Sequence, residues 1–393
     1  MEKKVFIFTL TYKYLYLCFI MYQRLQIQTL TQWLFKDKVL VLIGARQVGK
    51  STLLKEILQQ LPYPFLSLNG EESHIKKLFE EPTVEKLRQI VGDNKIVLID
   101  EAQQIKNIGL CLKMLFDNIK DVQFIASGSS ALEIADEIFE PLTGRHFVFH
   151  LYPLSMEEIY TKNGFLKFTE NLNWHLIYGM YPDVLNNRNH AKKYLKSIAN
   201  QYLYKDVLAW KDIRKPDLLN KLLQLLAHQI GNEVSLNELA MQLKVKSETV
   251  DNYIDLLEKS FVLFRLKSYA TNDRKEVTKM RKVYFYDLGI RNAIIDNFSP
   301  VELRNDVGAL WENFVVMEII KANEYAQKDF NYYFWRTLQQ QEVDFIVQDE
   351  QQITAYEMKW GNKGKITKAF TNSYPDAKTE LISPDNFFEK IIV

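Results

Sequence analysis

The chain has 393 residues, enough for two or three domains each with its own core, and its 47% hydrophobic and 25% charged make-up excludes a globally disordered protein. A formal net charge of +1 excludes a chain that coats nucleic acid or an anionic membrane by bulk electrostatics, so any nucleic-acid contact has to be local. Two cysteines, Cys18 and Cys111, supply neither a disulfide framework nor a metal-ligand spacing, which points to a reducing, cytoplasmic compartment.

The first stretch, residues 1–21, stands apart. An aromatic and aliphatic run from Val5 to Ile20, interrupted by Lys13, is shorter than the roughly 20 residues that span a bilayer and lacks the layout of a cleaved signal peptide. Translation is expected to begin at Met21, making the preceding residues 1–20 an extension from an upstream start. A membrane is not an expected partner, and an interfacial anchor is the alternative reading.

Residues 22–160 alternate short apolar runs with helical patterns, as a parallel sheet covered on both faces does. The runs Val39 to Ile43, Phe65 to Leu68, Ile96 to Ile99, Val122 to Ala126 and Phe147 to Phe149 predict five strands of an α/β core. Helices are predicted over Lys50 to Gln60, which stops before Pro62, and over Ile108 to Ile119.

Directly after the first strand comes Gly44, Ala45, Arg46, Gln47, Val48, Gly49, Lys50, Ser51, Thr52, with the glycine, lysine and hydroxyl spacing of a phosphate-binding loop. Gly44 and Gly49 let the backbone bring its N–H groups against phosphate oxygens. Lys50 offers a point charge to the outer phosphates and Ser51 a hydroxyl to a magnesium ion, while the following helix aims its positive end at the anion. The expected ligands are ATP and Mg2+.

The third strand runs into Asp100 and Glu101, two carboxylates at the carboxyl end of a buried strand, where open α/β sheets bind ligands. Asp100 is placed to hold magnesium through water, and Glu101 to orient and deprotonate the attacking water. The fourth strand ends at Ser127, Gly128, Ser129, Ser130, where Ser129 is a candidate sensor of the terminal phosphate and a strand-to-helix cap is the alternative. Arg145, before the fifth strand, is a candidate arginine finger for its own or a neighbouring subunit, with Arg46 a second.

The motifs GARQVGKST, VLIDEAQ, FIASGSS and LTGR together resemble the prokaryotic AAA+-like ATPases, related to the signal-transduction ATPases, that join a P-loop domain to a C-terminal half classed as a domain of unknown function. The resemblance covers nearly all of the chain after Met21 and implies ATP binding. It does not say what the energy moves. Members of that group usually carry proline where Ala45 stands here.

Residues 161–212 read as a helical lid or connector without chemistry of its own. Residues 213–290 read as a winged helix-turn-helix. Pro216 opens a helix, Ser235 with Glu238 makes a capping box for a second, and Ser247 caps a third with Val250, Ile254 and Leu257 inward. That third helix exposes Glu248, Asp251, Asp255 and Glu258, which disfavours major-groove reading. Arg265, Lys267, Arg274, Lys275, Lys279, Arg281 and Lys282 outnumber Asp273 and Glu276, so DNA contact through a wing and a pure packing or dimerisation role both stand.

Residues 291–393 carry a second constellation. A helix from about Gly308 to Ala322 holds Glu312, one strand holds Asp344, and the strand Ile353 to Trp360 places Glu357 and Lys359 on one face. Glu312, Asp344 and Glu357 are candidate ligands of a hard divalent cation, and Lys359 a candidate activator of water. The order Glu, Asp, Glu-x-Lys resembles the PD-(D/E)XK nuclease superfamily, although Asp344 lacks the preceding proline. The expected function is an ATP-hydrolysing protein coupled to a DNA-associated nuclease-like module. The alternative is a nucleotide-dependent switch whose C-terminal half binds a protein partner or a second copy of the chain.

Overall fold

The computed structural model describes residues 22–129, 138–201, 216–269, 281–350, 352–361 and 364–392. The N-terminal run that raised the start-site question, together with Ser130, Arg274, Lys275 and Lys279, lies outside the described residues.

The helices in chain order are α1 Gln26–Trp33, α2 Lys50–Gln60, α3 Ser73–Leu78, α4 Val84–Val91, α5 Ile108–Asn118, α6 Met156–Asn163, α7 Phe165–Glu170, α8 Leu172–Tyr178, α9 Pro182–Asn186, α10 Ala191–Gln201, α11 Pro216–His228, α12 Leu236–Leu243, α13 Ser247–Lys259, α14 Leu288–Ile294, α15 Val307–Tyr325, α16 Lys368–Ser373 and α17 Phe387–Ile391. The strands are β1 Val39–Ile43, β2 Phe65–Asn69, β3 Ile96–Asp100, β4 Gln123–Gly128, β5 His146–His150, β6 Glu233–Val234, β7 Leu263–Ser268, β8 Arg281–Phe285, β9 Asn331–Arg336, β10 Glu342–Gln348, β11 Ile353–Met358 and β12 Lys378–Ile382.

The first five strands form one sheet in the order β2-β3-β4-β1-β5, and every pair in it is parallel. Its central strands are buried along their whole length, which is why they read as unbroken apolar runs rather than alternating ones. A parallel sheet puts all carboxyl ends on one edge, so the residues following β1, β3 and β4 meet there. This is the α/β P-loop architecture expected from the sequence.

The other seven strands form a second sheet in the order β12-β11-β10-β9-β7-β8-β6. Strands β6, β8 and β7 carry the helical pair α12 and α13, while Asp344 lies on β10, Glu357 on β11 with Lys359 just past its end, and Glu312 on α15. The two sets join through a parallel β7–β9 pairing, Lys267 with Tyr333 and Ser268 with Phe334. The sheet thus passes through the boundary expected at residue 290, and the two expected units share hydrogen-bonded backbone. One local expectation needs correction: α13 starts at Ser247 with Lys246 in the cap position and no side-chain cap, so the Ser247 hydroxyl does not cap it. Ser235 does accept from Glu238 N–H.

Both halves contribute to one buried hydrophobic cluster, with α15 at the join. Thirteen of its nineteen residues are buried, because it is covered by the P-loop half on one side and the second sheet on the other.

In the lid, His175 of α8 is 1% exposed, stacks on Phe168 and has no hydrogen-bond partner for either ring nitrogen among the described residues. Burial, helped by Arg188, pushes its pKa down to about 3. The folded pKa lies below the unfolded one, so the neutral ring stabilises the fold fully above pH about 6.5 and this contribution falls as pH drops toward 3. At pH 5.5 the loss is on the order of 1 kcal/mol. Thermal unfolding at pH 7.5 and pH 5.5 should show a smaller acid-induced drop in midpoint for His175→Phe than for the parent; equal drops would refute this assignment.

Candidate functional site

The loop after β1 turns sharply against the end of β5. A Cβ on Gly44 would lie 2.1 Å from the Leu151 carbonyl oxygen, so no other residue fits. Gly49 sits at φ +101, in the region that glycine tolerates, and leads directly into α2. Lys50 is buried, and its ammonium donates to the carbonyls of Gly44 at 2.8 Å and Ala45 at 3.0 Å, folding the side chain back over the loop. Gln47 to Leu53, with Tyr22, Arg24, Glu56, Glu101 and Leu154, border a cavity of about 410 Å³ at the carboxyl edge of the sheet.

Asp100 ends β3 beside the loop and accepts a hydrogen bond from the Ser127 hydroxyl of β4. Glu101 follows in the left-handed region at φ 48, ψ 47, a conformation that a residue with a Cβ adopts at a cost and that recurs at functional sites. Its carboxylate accepts from Gln103 Nε2 at 2.7 Å and from the Ser129 hydroxyl at 3.3 Å, and Gln103 also reaches Ser129 at 3.2 Å. Gln103 ends the VLIDEAQ motif, but the motif alone assigns it no role. Its amide oxygen is buried without a partner among the described residues, beside the carboxylate expected to handle water. The signal was present, since a polar residue two positions beyond a strand-end acid returns to that acid once a short 3-10 turn follows the strand, as it does at Ala102–Gln104.

These residues suit a magnesium nucleotide. Ser51 lies in the first turn of an eleven-residue helix, Asp100 and Glu101 are at the carboxyl end of β3, one strand removed from β1 on the same edge, and Lys50 supplies the countercharge. Arg145 does not belong with them. It precedes β5, at the amino edge of the parallel sheet and opposite the loop, where its guanidinium pairs with Asp117 at 2.8 Å. The arginine-finger reading is therefore corrected for the chain's own site, because the sheet separates Arg145 from the cavity. Arg46 remains in the loop, outside the residues that border the cavity.

The C-terminal constellation also assembles. Antiparallel pairing of β10 and β11 sets Asp344 beside Glu357, and Lys359 reaches Glu357 at 2.7 Å and Asp344 at 3.7 Å. Asp344 Oδ2 accepts the Met358 N–H at 2.8 Å. Glu312 of α15 faces the same cluster, but a residue counted earlier as a wing charge is already there. Lys282 of β8, 1% exposed, donates to Glu312 at 3.1 Å and pairs with Glu342, and Tyr284 two residues on donates to Glu312 at 2.6 Å. Burial pushes the Glu312 pKa up to about 7 against the opposing pull of Lys282. Burial works to lower the Lys282 pKa, but Glu312, Glu342 and Asp344 outweigh it and the net shift is upward.

As built, this cluster offers no ready metal-ligand set: among the described residues no three His, Cys, Asp or Glu side chains stand where a metal could be held, and Lys282 and Lys359 pair with Glu312, Glu342, Asp344 and Glu357. Alternation along β8 could have revealed Lys282, since it shares a strand face with Tyr284. The basic count on the wing shrinks accordingly: Lys282 is internal, and Arg265 is paired with Asp251, Asp255 and Glu258 of α13. Those acids, expected to repel phosphate, are thus partly neutralised by their own hairpin.

Comparison with known proteins places these features. Residues 36–160 match the family described as an AAA domain, and residues 169–301 and 307–387 match two families described as domains of unknown function, DUF8612 and DUF4143. An uncharacterized protein of Methanocaldococcus jannaschii is 24% identical over 390 residues, covering 92% of this chain and 85% of that one. An uncharacterized protein of Mycobacterium tuberculosis is 25% identical over 375 residues, covering 93% and 81%. Among solved structures, a Walker-type ATPase of Pyrococcus abyssi overlaps with a TM-score of 0.48 at 16% identity, covering 70% of this chain and 96% of that one. Among the described residues no helix is long and apolar enough to cross a membrane.

Removing Lys282 strands buried carboxylates, which costs about 3 to 5 kcal/mol where a buried pair is broken from one side. Lys282→Met should therefore lower the unfolding midpoint, and adding Glu312→Gln should recover part of the loss. A double mutant no more stable than Lys282→Met would contradict the pairing.

Proposed function

We propose that this chain, with its AAA-type P-loop domain at residues 36–160, binds ATP with Mg2+ and hydrolyses it at the carboxyl edge of the first sheet. The observation that carries the reading is the convergence of Lys50, Asp100 and the Glu101–Gln103–Ser129 group on the edge where the loop opens. The loop N–H groups and Lys50 hold the phosphates. Ser51 and Asp100 would hold Mg2+, which supplies charge neutralisation at the phosphate oxygens. Glu101 takes the proton of the attacking water, and Gln103 and Ser129 fix the carboxylate that receives it. Arg145, on the far edge, would serve only a neighbouring copy.

For the C-terminal half, the Lys282 pairing favours a switch over a nuclease: nucleotide state governs an interaction module that binds a protein partner or a second copy, without metal-dependent cleavage. A helix-turn-helix pair on β6, β8 and β7 has the outline of a winged helix, and DNA contact through it would be electrostatic and salt-dependent.

Lys50→Ala should abolish nucleotide binding, and Glu101→Gln should keep binding while lowering turnover about 10²- to 10⁴-fold, the range of a lost general base. Equilibrium binding and phosphate release decide this, and a Lys50→Ala protein that turns over ATP like the parent sinks the reading. With Mg2+ or Mn2+ the parent should leave supercoiled plasmid intact; nicking that disappears in Asp344→Ala and Lys359→Ala would restore the nuclease assignment.

A further inference from the structure

Arg24 precedes α1 and belongs to none of the sequence motifs, yet it is buried against the phosphate loop. Its Nη1 donates to the Val48 carbonyl at 2.6 Å, Nη2 to the Tyr152 carbonyl at 2.7 Å and Nε to Glu158 Oε1 at 2.9 Å. A trans peptide points its carbonyl and N–H in opposite directions, so holding the Val48 oxygen fixes the direction of the Gly49 N–H. That N–H is one of the donors the loop offers a phosphate.

The other partners of Arg24 lead to the C-terminal half. Glu158 closes the capping box of α6 with Ser155, and the first N–H of that helix, on Met156, donates to Glu318 of α15 at 2.6 Å. Glu318 pairs with Lys321 at 2.7 Å, and Lys321 donates to the Leu154 carbonyl at 2.9 Å. Tyr325 lies near enough to Arg24 to favour its charged form, and its hydroxyl accepts the Tyr152 N–H at 3.4 Å, beside the Tyr152 carbonyl that Arg24 holds. About 20 Å back along α15, Asn313 clasps both backbone groups of Phe285 in β8, at 2.7 and 2.9 Å. The loop peptide and the second sheet are therefore referenced to the same helix through buried, directional bonds.

We propose that Arg24 is a positioning residue for the phosphate loop and that through it nucleotide at the loop is thermodynamically linked to α15. The proposal rests on the ATP-binding reading. Linkage is reciprocal, so a side chain that carries it must change both nucleotide affinity and the response of α15 to nucleotide.

The test uses the full chain, with ADP and a non-hydrolysable ATP analogue as probes and hydrogen exchange read over residues 307–325 and 281–287. In the parent, saturating nucleotide should slow exchange in both segments. Arg24→Lys keeps the charge and loses the fork, so it should bind about tenfold or more weakly. At its own saturating concentration it should show no nucleotide-dependent change in 307–325. A merely structural role would alter exchange with and without nucleotide alike. Tyr325→Phe leaves the Val48 contact in place and should shrink the nucleotide-dependent difference, which keeps the test available if Arg24→Lys does not fold. Parent-like affinity in Arg24→Lys, or unchanged exchange in 307–325 of the nucleotide-saturated parent, overturns the proposal alone. A parent that binds nucleotide no better than Lys50→Ala overturns the ATP reading and this proposal together.

Discussion

The structure depends on the burial of α15. A helix whose apolar residues run around its whole circumference cannot sit on a surface, and this one is enclosed between the P-loop half and the second sheet. Enclosure imposes a condition on its polar residues. Glu318 and Lys321, three apart and both about 2% exposed, answer it by pairing with each other and with the backbone at the start of α6. Glu312 and Asn313, one turn and more toward the amino end, answer it on the other side with Lys282, Tyr284 and Phe285. Each polar contact is directional, so the two halves are held in register as well as in apposition.

The same enclosure explains how the phosphate loop is supported. Its glycines solve a local problem, close approach and an uncommon φ, but its Val48 peptide is held by a guanidinium whose other bonds lie outside the loop. The Glu101 carboxylate is likewise held from outside its own strand, by Gln103 and Ser129 on neighbouring segments. Positioning within fractions of an ångström is what a preorganised site requires, and it comes here from second partners: Gln103 and Ser129 within the strand-end motifs and Arg24 outside any motif.

In the C-terminal half, the buried and half-buried charges are paired internally. Four carboxylates, Glu312, Glu342, Asp344 and Glu357, gather with Lys282 and Lys359, and Arg336 bridges Glu342 to Glu233 at 3.3 and 3.2 Å. Such clusters are poor sources of net stability, because desolvation consumes most of the Coulombic gain, but they disfavour wrong pairings. Here the ion pairs tie β6, β8, β9, β10 and α15 together, across the joint where the second sheet passes from one set of strands to the other.

The sequence by itself determined what short-range physics encodes. Unbroken apolar runs specified the buried strands β1 and β3, the glycine spacing specified the loop, Pro62 bounded α2 at Gln60, and the strand-end position of Asp100 and Glu101 placed them beside the loop, because parallel strands share one carboxyl edge. Even the order Glu312, Asp344, Glu357, Lys359 brought together residues that do meet. Tertiary structure alone decided which partners those side chains take. Arg145 and Lys282 show why: both are basic residues next to or within a strand, and nothing local distinguishes the one sent to the far edge of a sheet from the one buried among carboxylates. A charged side chain's role is set by what lies within a few ångströms, and at separations such as the 134 residues between Arg24 and Glu158 only the folded chain defines that neighbourhood.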